Sequence, residues 1–326
     1  MSFSFNLPPI SVMARNLLDV FRQTWAMAWM LYKIIIPMLI LVKILIELDL
    51  IKYLAVPLEP LMSLMGLPHE MGLVWATALL AGVWSAFLLY ITLLPITGFL
   101  TMAQVTVLAT LILIAHAIPV EARIAQRSGL SFWGQAAIRV TGALTCAILF
   151  HQIFTHYGIL QEISRPGIAP TAQDADLLHW ALAELQRMVA MFGVIFAMLL
   201  SLRILDYIKI LNLVRLLLRP LLALLGLGRE ASTIVLVGLT LGISYGGGLI
   251  IAEARSGRLS KRDVFIATSL MGLSHALVED TFAMTLMGAS LTFVFGGRLL
   301  FSLLSVFLFS LAYDYYLRRR ELKGAA

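Results

Sequence analysis

Apolar runs long enough to cross a lipid bilayer recur along the whole of this chain, and that property decides its fold class. A helix needs about 20 predominantly apolar residues to span the hydrocarbon core. Runs at about 26–46, 71–94, 102–118, 136–154, 188–206, 232–252, 263–295 and 298–317 meet or approach that length. Of the 326 residues, 60% are hydrophobic and 13% charged, well below the roughly one quarter charged of soluble domains. The alternating segments of about ten residues that build a membrane barrel are absent. The expectation is an all-α, polytopic integral membrane protein with about eight spans or re-entrant segments.

A net charge of +6 raises the question of nucleic acid. The basic residues cluster instead beside apolar runs, as in Arg255, Arg258, Lys261 and Arg262, and again in Arg318, Arg319, Arg320 and Lys323. That is the pattern of cytoplasmic anchoring, so the bilayer, and not nucleic acid, is the expected partner. With Arg15 and Arg22 near the other end, both termini are expected in the cytoplasm of a bacterial-type inner membrane. The first residues carry no Lys or Arg before Arg15 and no apolar core with a cleavage site, so no removable signal peptide is expected. The one cysteine, Cys146, excludes an intrachain disulfide and a cysteine-rich metal site.

The chain divides at its polar stretches into a lead and interfacial segment (1–25), a membrane repeat (26–154), a polar linker (155–187), a second membrane repeat (188–317) and a basic tail (318–326). The halves resemble each other. The stretch Pro60-Leu-Met-Ser-Leu-Met-Gly-Leu-Pro-His-Glu70 matches Pro220-Leu-Leu-Ala-Leu-Leu-Gly-Leu-Gly-Arg-Glu230, and Gly82 meets Gly242 at the same offset. His116-Ala-Ile then aligns with His275-Ala-Leu and, after one extra proline, Val120-Glu121 with Val278-Glu279, which leaves Ala122 opposite Asp280. Matches among Leu, Ala and Val are cheap in so apolar a chain. Pro, Gly, His and Glu in collinear order are not, and transporter folds are often internally repeated. The spacing leaves open whether the copies are parallel or inverted.

Ionisable side chains inside hydrocarbon cost several kcal/mol and mark functional sites. Met271-Gly-Leu-Ser-His-Ala-Leu-Val-Glu-Asp-Thr281 puts His275, Glu279 and Asp280 within one short stretch of the last long apolar region. Helical spacing places His275 and Glu279 on one face. Imidazole and carboxylate together suit transition-metal cations, so His275, Glu279 and Asp280 are the candidate metal ligands, with Ser274, Thr281 and Met271 as weaker ones. The bland reading is a buried polar cluster that fixes helix packing. His116 and Glu121 are the first-half counterparts, lining the same cavity or standing as a decayed copy. The region 263–296 is too long for one straight span and too short for two, which fits a broken or re-entrant helix near His275–Asp280.

Gly242-Ile-Ser-Tyr-Gly246-Gly247-Gly248 is the second constellation. Gly242 and Gly246 form a small-xxx-small pair that admits close helix packing. The run Gly246, Gly247 and Gly248 also makes a helix easy to unwind, which would free carbonyls as a backbone wall of the site. Its Gly-x-Ser-x-Gly spelling is that of a hydrolase elbow, but the strand-to-helix context is missing. No nucleotide-binding loop and no paired metalloprotease histidines are present, so an enzyme is not expected. Glu253, close behind, reads as an interfacial charge that could belong to the site.

Together, the apolar repeat, the Gly242–Gly248 stretch, the basic loop with Arg255, Lys261 and Arg262, and the block Ser274-His275-Ala-Leu-Val-Glu279-Asp280-Thr281 resemble membrane proteins with the nucleoside-recognition or Gate domain. That domain is similar to parts of concentrative nucleoside transporters, the membrane part of ferrous-iron transport protein B, and spore maturation proteins A and B. The resemblance spans most of residues 30–315 as two copies and implies a transport scaffold. Unlike the iron transporter, this chain has no GTPase domain and no cysteine near the glycine run.

The expected function is a secondary transporter or permease for a small polar or cationic solute, a divalent metal ion favoured over a nucleoside. The ion would be substrate rather than resident cofactor. Its binding site would comprise His275, Glu279, Asp280, Ser274, Gly246, Gly247, Gly248, His116 and Glu121, and the near-neutral pKa of an unperturbed histidine suits His275 to proton coupling. The alternative is a non-transporting assembly or maturation factor whose polar cluster binds a partner helix. Homo-oligomerisation stays open.

Overall fold

The structure is a computed structural model that describes residues 10–48, 50–169 and 176–324. Parts of the expected lead (Met1–Pro9) and linker (Pro170 and Asp174 among them), with the last two residues of the tail, lie outside the described residues. Among those described, all regular elements are helical, with one isolated bridge between Thr101 and Ile163. Five helices are long and apolar enough to cross a membrane: 17–47, 102–127, 132–157, 177–205 and 292–315. The all-α polytopic membrane class therefore holds.

Two copies of one motif follow each other. The first runs through α1 (Ile10–Glu47), the short pieces α2 (Ile51–Ala55) and α3 (Glu59–Ser63), α4 (Met71–Ala81), α5 (Val83–Thr97), α6 (Met102–Ile114), α7 (Ile118–Arg127) and α8 (Phe132–Tyr157). The second runs through α9 (Leu177–Tyr207), α10 (Ile210–Leu224), α11 (Arg229–Leu241), α12 (Ile243–Arg255), α13 (Lys261–Ser274), α14 (Glu279–Met287), a π-helical turn (Thr292–Gly297) and α15 (Arg298–Gly324). Backbone exceptions repeat with the elements. Gly66 and Gly226 have φ of +65° and +68°, Gly82 and Gly242 +89° and +90°, Ala117 and Ala276 +44° and +47°. Local polar residues start the matching helices. Thr101 and Ser260 accept from the backbone N–H of Gln104 and Asp263 at 3.2 and 3.0 Å, which satisfies donors that the first helical turn leaves orphaned.

Two predicted spans, 71–94 and 232–252, are corrected. Each is a pair of short helices, α4–α5 and α11–α12, hinged at Gly82 and Gly242. The second pair folds back on itself. A Cβ placed on Gly246 would stand 2.6 Å from the Gly238 Cα, whereas residues eight apart in a straight helix are separated by about 12 Å. At the matching places in the first copy stand Ala78 and Ala86, both fully buried, and α4 packs along α5 in the same way. The hydrophobic pattern records that these residues avoid water; it carries no information about chain direction. The hinge glycines do, because the φ and ψ they adopt are open essentially to glycine alone.

The Gly246–Gly248 run is likewise not an unwound wall. It lies inside α12, where Gly246 packs on Gly238 and the Met271 sulfur, and Gly247 faces Ile124. Expected helix limits shift too. α1 starts well before residue 26, and α9 starts inside the stretch expected to be linker, capped by Asp176, which accepts from His179 N–H at 2.8 Å.

The copies interlock. α7 of the first packs on α12 of the second, and α14 of the second packs on α5 of the first, while α6 crosses α13 and α1 lies along α9. Substituting Ala at Gly82 or Gly242 should destabilise the protein by about 1–3 kcal/mol through backbone strain alone, since no side chain closer than 3.7 Å opposes the added methyl at either. Thermal unfolding in detergent measures this, and an unchanged midpoint for both would contradict the hinge assignment.

Candidate functional site

Each copy contains one broken helix, and both breaks meet at the centre. α6 ends at Ile114; Ala117 then adopts a left-handed conformation and α7 begins at Ile118 with Pro119 in its first turn. α13 ends at Ser274, Ala276 is left-handed, and α14 begins at Glu279. Non-glycine residues in this region are uncommon, and neighbouring backbone holds both. The N–H of Ala117 donates to Ala78 O at 2.9 Å, and those of Ala276 and Leu277 donate to Gly238 O and Leu239 O at 3.3 and 2.8 Å. His275 and Glu279 therefore do not share one continuous helical face, which corrects the expected spacing.

The two breaks present His116 and His275, 159 residues apart, to each other with Nε2 atoms 3.2 Å apart. Each ring is fixed from behind: His116 Nδ1 lies 2.9 Å from Ile112 O and His275 Nδ1 lies 2.8 Å from Met271 O. A carbonyl oxygen only accepts, so both Nδ1 atoms carry a proton, and each ring when neutral turns a bare Nε2 lone pair inward. A third acceptor, Glu121 Oε1, stands 3.2 Å from His116 Nε2 and 3.4 Å from His275 Nε2. Asp280 Oδ2 is 3.9 Å from His116 Nε2 and has no hydrogen-bond partner among the described residues. Lone pairs converging in a buried space repel one another unless a proton or a metal cation lies among them.

The histidine spacing also corrects the alignment of the halves. Glu121 and Asp280 hold the same separation as the two histidines, and their N–H groups donate to the matching carbonyls of Ala117 and Ala276 at 3.1 and 3.0 Å. The counterpart of Asp280 is therefore Glu121, and the unpaired residue of the second copy is Glu279, which stands opposite Val120. Sequence reasoning inserted a gap at Pro119 that the backbone does not have.

Sequence reasoning missed two buried arginines, Arg139 and Arg298, at that separation again. Arg139 Nη1 lies 2.5 Å from Glu121 Oε2 and its Nε donates to Ile114 O at 2.9 Å. Arg298, fully buried beside the π-helical turn, places Nη2 3.4 Å from Thr281 Oγ1 and makes no ion pair within 4 Å of Asp280 among the described residues. Its signal was legible: an arginine inside an apolar run in each copy at one offset. The two halves are thus alike in parts and unlike in state, with Glu121 clamped and Asp280 unclamped.

A cavity of about 580 Å³ reaches the cluster, lined at its inner end by His116, Glu121, His275, Glu279 and Asp280 with the hinge glycines Gly82 and Gly242. Glu279 faces the cavity but lies outside the group of His116, His275 and Asp280, whose ligand atoms fall within 4.8 Å of one another. The group that could hold a metal ion shares His275 and Asp280 with the expected set and draws its other histidine, His116, from the first copy. Ser274 is buried with its hydroxyl donating to Leu270 O at 3.1 Å, and Gly246, Gly247 and Gly248 do not line the cavity. Glu253 pairs with Arg258 at 2.6 Å in the basic loop, away from the site.

Residues 28–131 match the Gate family, described as nucleoside recognition. The matched Gate segment holds the α4–α5 hairpin and the break with His116 and Glu121. The chain is also similar to the uncharacterized membrane protein YvoD of Bacillus subtilis (strain 168), 26% identical over 267 residues covering 80% of this chain and 82% of that one. No solved structure matches.

Removing Arg139 leaves Glu121 as an uncompensated buried charge, so Arg139→Met should cost about 3–5 kcal/mol. Adding Glu121→Gln should return a large part of that loss. A double-mutant cycle on unfolding free energy tests it, and additive single effects would refute the pairing.

Proposed function

We propose that this Gate-domain membrane protein is a transporter whose substrate is a divalent transition-metal cation, bound where the two copies meet. The observation that carries the reading is the triangle of His116 Nε2, His275 Nε2 and Glu121 Oε1, with sides of 3.2, 3.2 and 3.4 Å. Donors about 2.1 Å from one ion stand ~3.0 Å apart at a right angle and ~3.4 Å apart at the tetrahedral angle. The histidine Nδ1–H groups bonded to carbonyls match the second shell that orients metal-binding imidazoles. Asp280 supplies a further oxygen, and imidazole with carboxylate suits zinc, manganese or ferrous iron better than calcium or magnesium. Acceptors this close converge on a point, which suits an ion rather than a nucleobase.

Chain direction supports transport. In each copy the first long helix, the broken helix and the last long helix cross, while the hairpin returns to the side it left. An odd number of crossings turns the second copy over relative to the first, the inverted arrangement of many secondary transporters. Basic residues then collect on one side: Arg123 and Arg127 in the second half of α7, Arg203 at the end of α9 and Lys209 just beyond it, Arg255 to Arg262 around the α12–α13 turn, and the end of α15. By the positive-inside rule that side is cytoplasmic, which puts both termini there and the linker outside. The cavity's lining residues Gln23, Ile124 and Leu199 lie toward the cytoplasmic ends of their helices.

Purified protein in liposomes should take up Mn²⁺ or Zn²⁺ against a fluorescent reporter. His116→Ala and His275→Ala should each lower that uptake by roughly 10-fold or more while the melting temperature in detergent stays that of a folded protein. Nucleoside uptake that is indifferent to metals, or full metal flux in both variants, would overturn the proposal.

A further inference from the structure

The inverted copies imply that the cytoplasmic cavity has a mate on the other side of the site, and a second, smaller cavity lies in that position. Its volume is about 330 Å³ and its walls are Ala183, Gln186, Arg187 and Ala190 of α9 with 167–169 of the linker. These α9 residues are the repeat counterparts of Gln23, Ala26, Met27 and Met30 of α1, all four of which line the central cavity. Burial confirms the register: Thr24 and Glu184, Leu31 and Met191, Ile35 and Ile195 are buried in matching places. Met191 and Ala283 are buried and do not line the second cavity. Ala283 is the counterpart of Ile124, which lines the open cavity.

One element here has no counterpart in the other copy. The strap 163–169 lies across the outer end of α14, with Gly167 N–H donating to Leu286 O at 2.7 Å and the Ser164 hydroxyl donating to Gly288 O at 2.7 Å. Ile168 of the strap is itself buried, and Glu184 and Arg187 form a buried ion pair in the adjoining wall. Ser164 N–H also donates to Leu100 O at 2.9 Å, so the strap ties the first copy's α5–α6 loop to the second copy's α14. The two hydrogen bonds between the strap and α14 form a closure that is reversible, since each contributes only about 0.5–1.5 kcal/mol net.

We infer that the space between α9 and the strap 163–169 is the outer mouth of the path that the cytoplasmic cavity serves from within, and that the strap is its lid. The inference rests on the transporter reading for its substrate, a divalent cation, and on the repeat geometry for its place. In the opposite state α14 withdraws from the strap, Ala283 comes to line an open outer cavity, and Ile124 becomes buried.

Cysteine chemistry tests this in a Cys146→Ser background. Ala283→Cys should react with a membrane-impermeant maleimide applied to the linker side, although it is buried in the state described. A disulfide between Gly167→Cys and Leu286→Cys should abolish that labelling and abolish metal uptake, and reductant should restore both. A Cβ on Gly167 would lie 3.9 Å from the Leu286 Cα, within the usual reach of a disulfide. Ile124→Cys should label from the cytoplasmic side with or without the disulfide. If Ala283→Cys never labels from the linker side in protein that transports metal, the outer mouth is wrong and the transporter reading stands. If the labelling and its block by the disulfide occur but no metal moves in the reduced protein, the mouth stands and the substrate assignment falls.

Discussion

Two imidazoles that face each other where the copies meet, their Nε2 atoms 3.2 Å apart, set the terms for everything around the centre. Their rear nitrogens are committed to carbonyls of α6 and α13, so neither ring can turn a donor inward while neutral. Those carbonyls belong to the last turns of helices that end just before Ala117 and Ala276 adopt a left-handed conformation. The interlocking of the copies follows from the same need. Each break is steadied by backbone of its own copy's hairpin, and each following helix packs against the other copy's hairpin. Local backbone exceptions, lone-pair direction and global topology are therefore one constraint seen at three scales.

On the proposed transporter reading, the asymmetry between the halves is what an inverted pair needs in order to face one way at a time. A perfectly symmetric arrangement would open to both sides or to neither. Glu121 is held by Arg139 while Asp280 stands apart from Arg298, and a glutamate on one side against a shorter aspartate on the other keeps the two clamps from being equivalent. The π-helical turn immediately before Arg298 replaces ordinary α-helix at the matching place in α8, and such turns concentrate at functional positions. Two packings of similar energy, exchanged between copies, are the physical content of alternating access.

Much of this was legible in the residues, for identifiable reasons. Apolar length gave the membrane class, and glycine, proline and histidine in collinear order gave the duplication, because those residues are expensive to place by chance in an apolar chain. The break near His275 was readable from a stretch too long for one span. Direction reversal at Gly82 and Gly242 was not, since hydrophobicity is blind to it and the same glycines fit a packing motif. The pairing of Glu121 with Asp280 was lost to a gap placed at Pro119, where side-chain identity outweighed the constant separation. Arg139 and Arg298 escaped notice because each was read singly, as an edge charge or as part of a span. Compared across copies, they would have pointed to the clamp. Ligands contributed by the two breaks together, His116 beside His275, depend on a crossing of α6 and α13 that no local pattern encodes.

The central claim is that one cation sits between the copies, held by a histidine from each. X-ray absorption spectroscopy on the purified protein loaded with one equivalent of Zn²⁺ or Mn²⁺ addresses it most directly. The account predicts a first shell of two imidazole nitrogens with carboxylate oxygen at about 2.0–2.2 Å, reduced to one imidazole in either single histidine variant. A shell of oxygen alone, or two imidazoles that survive the loss of His116, would contradict it.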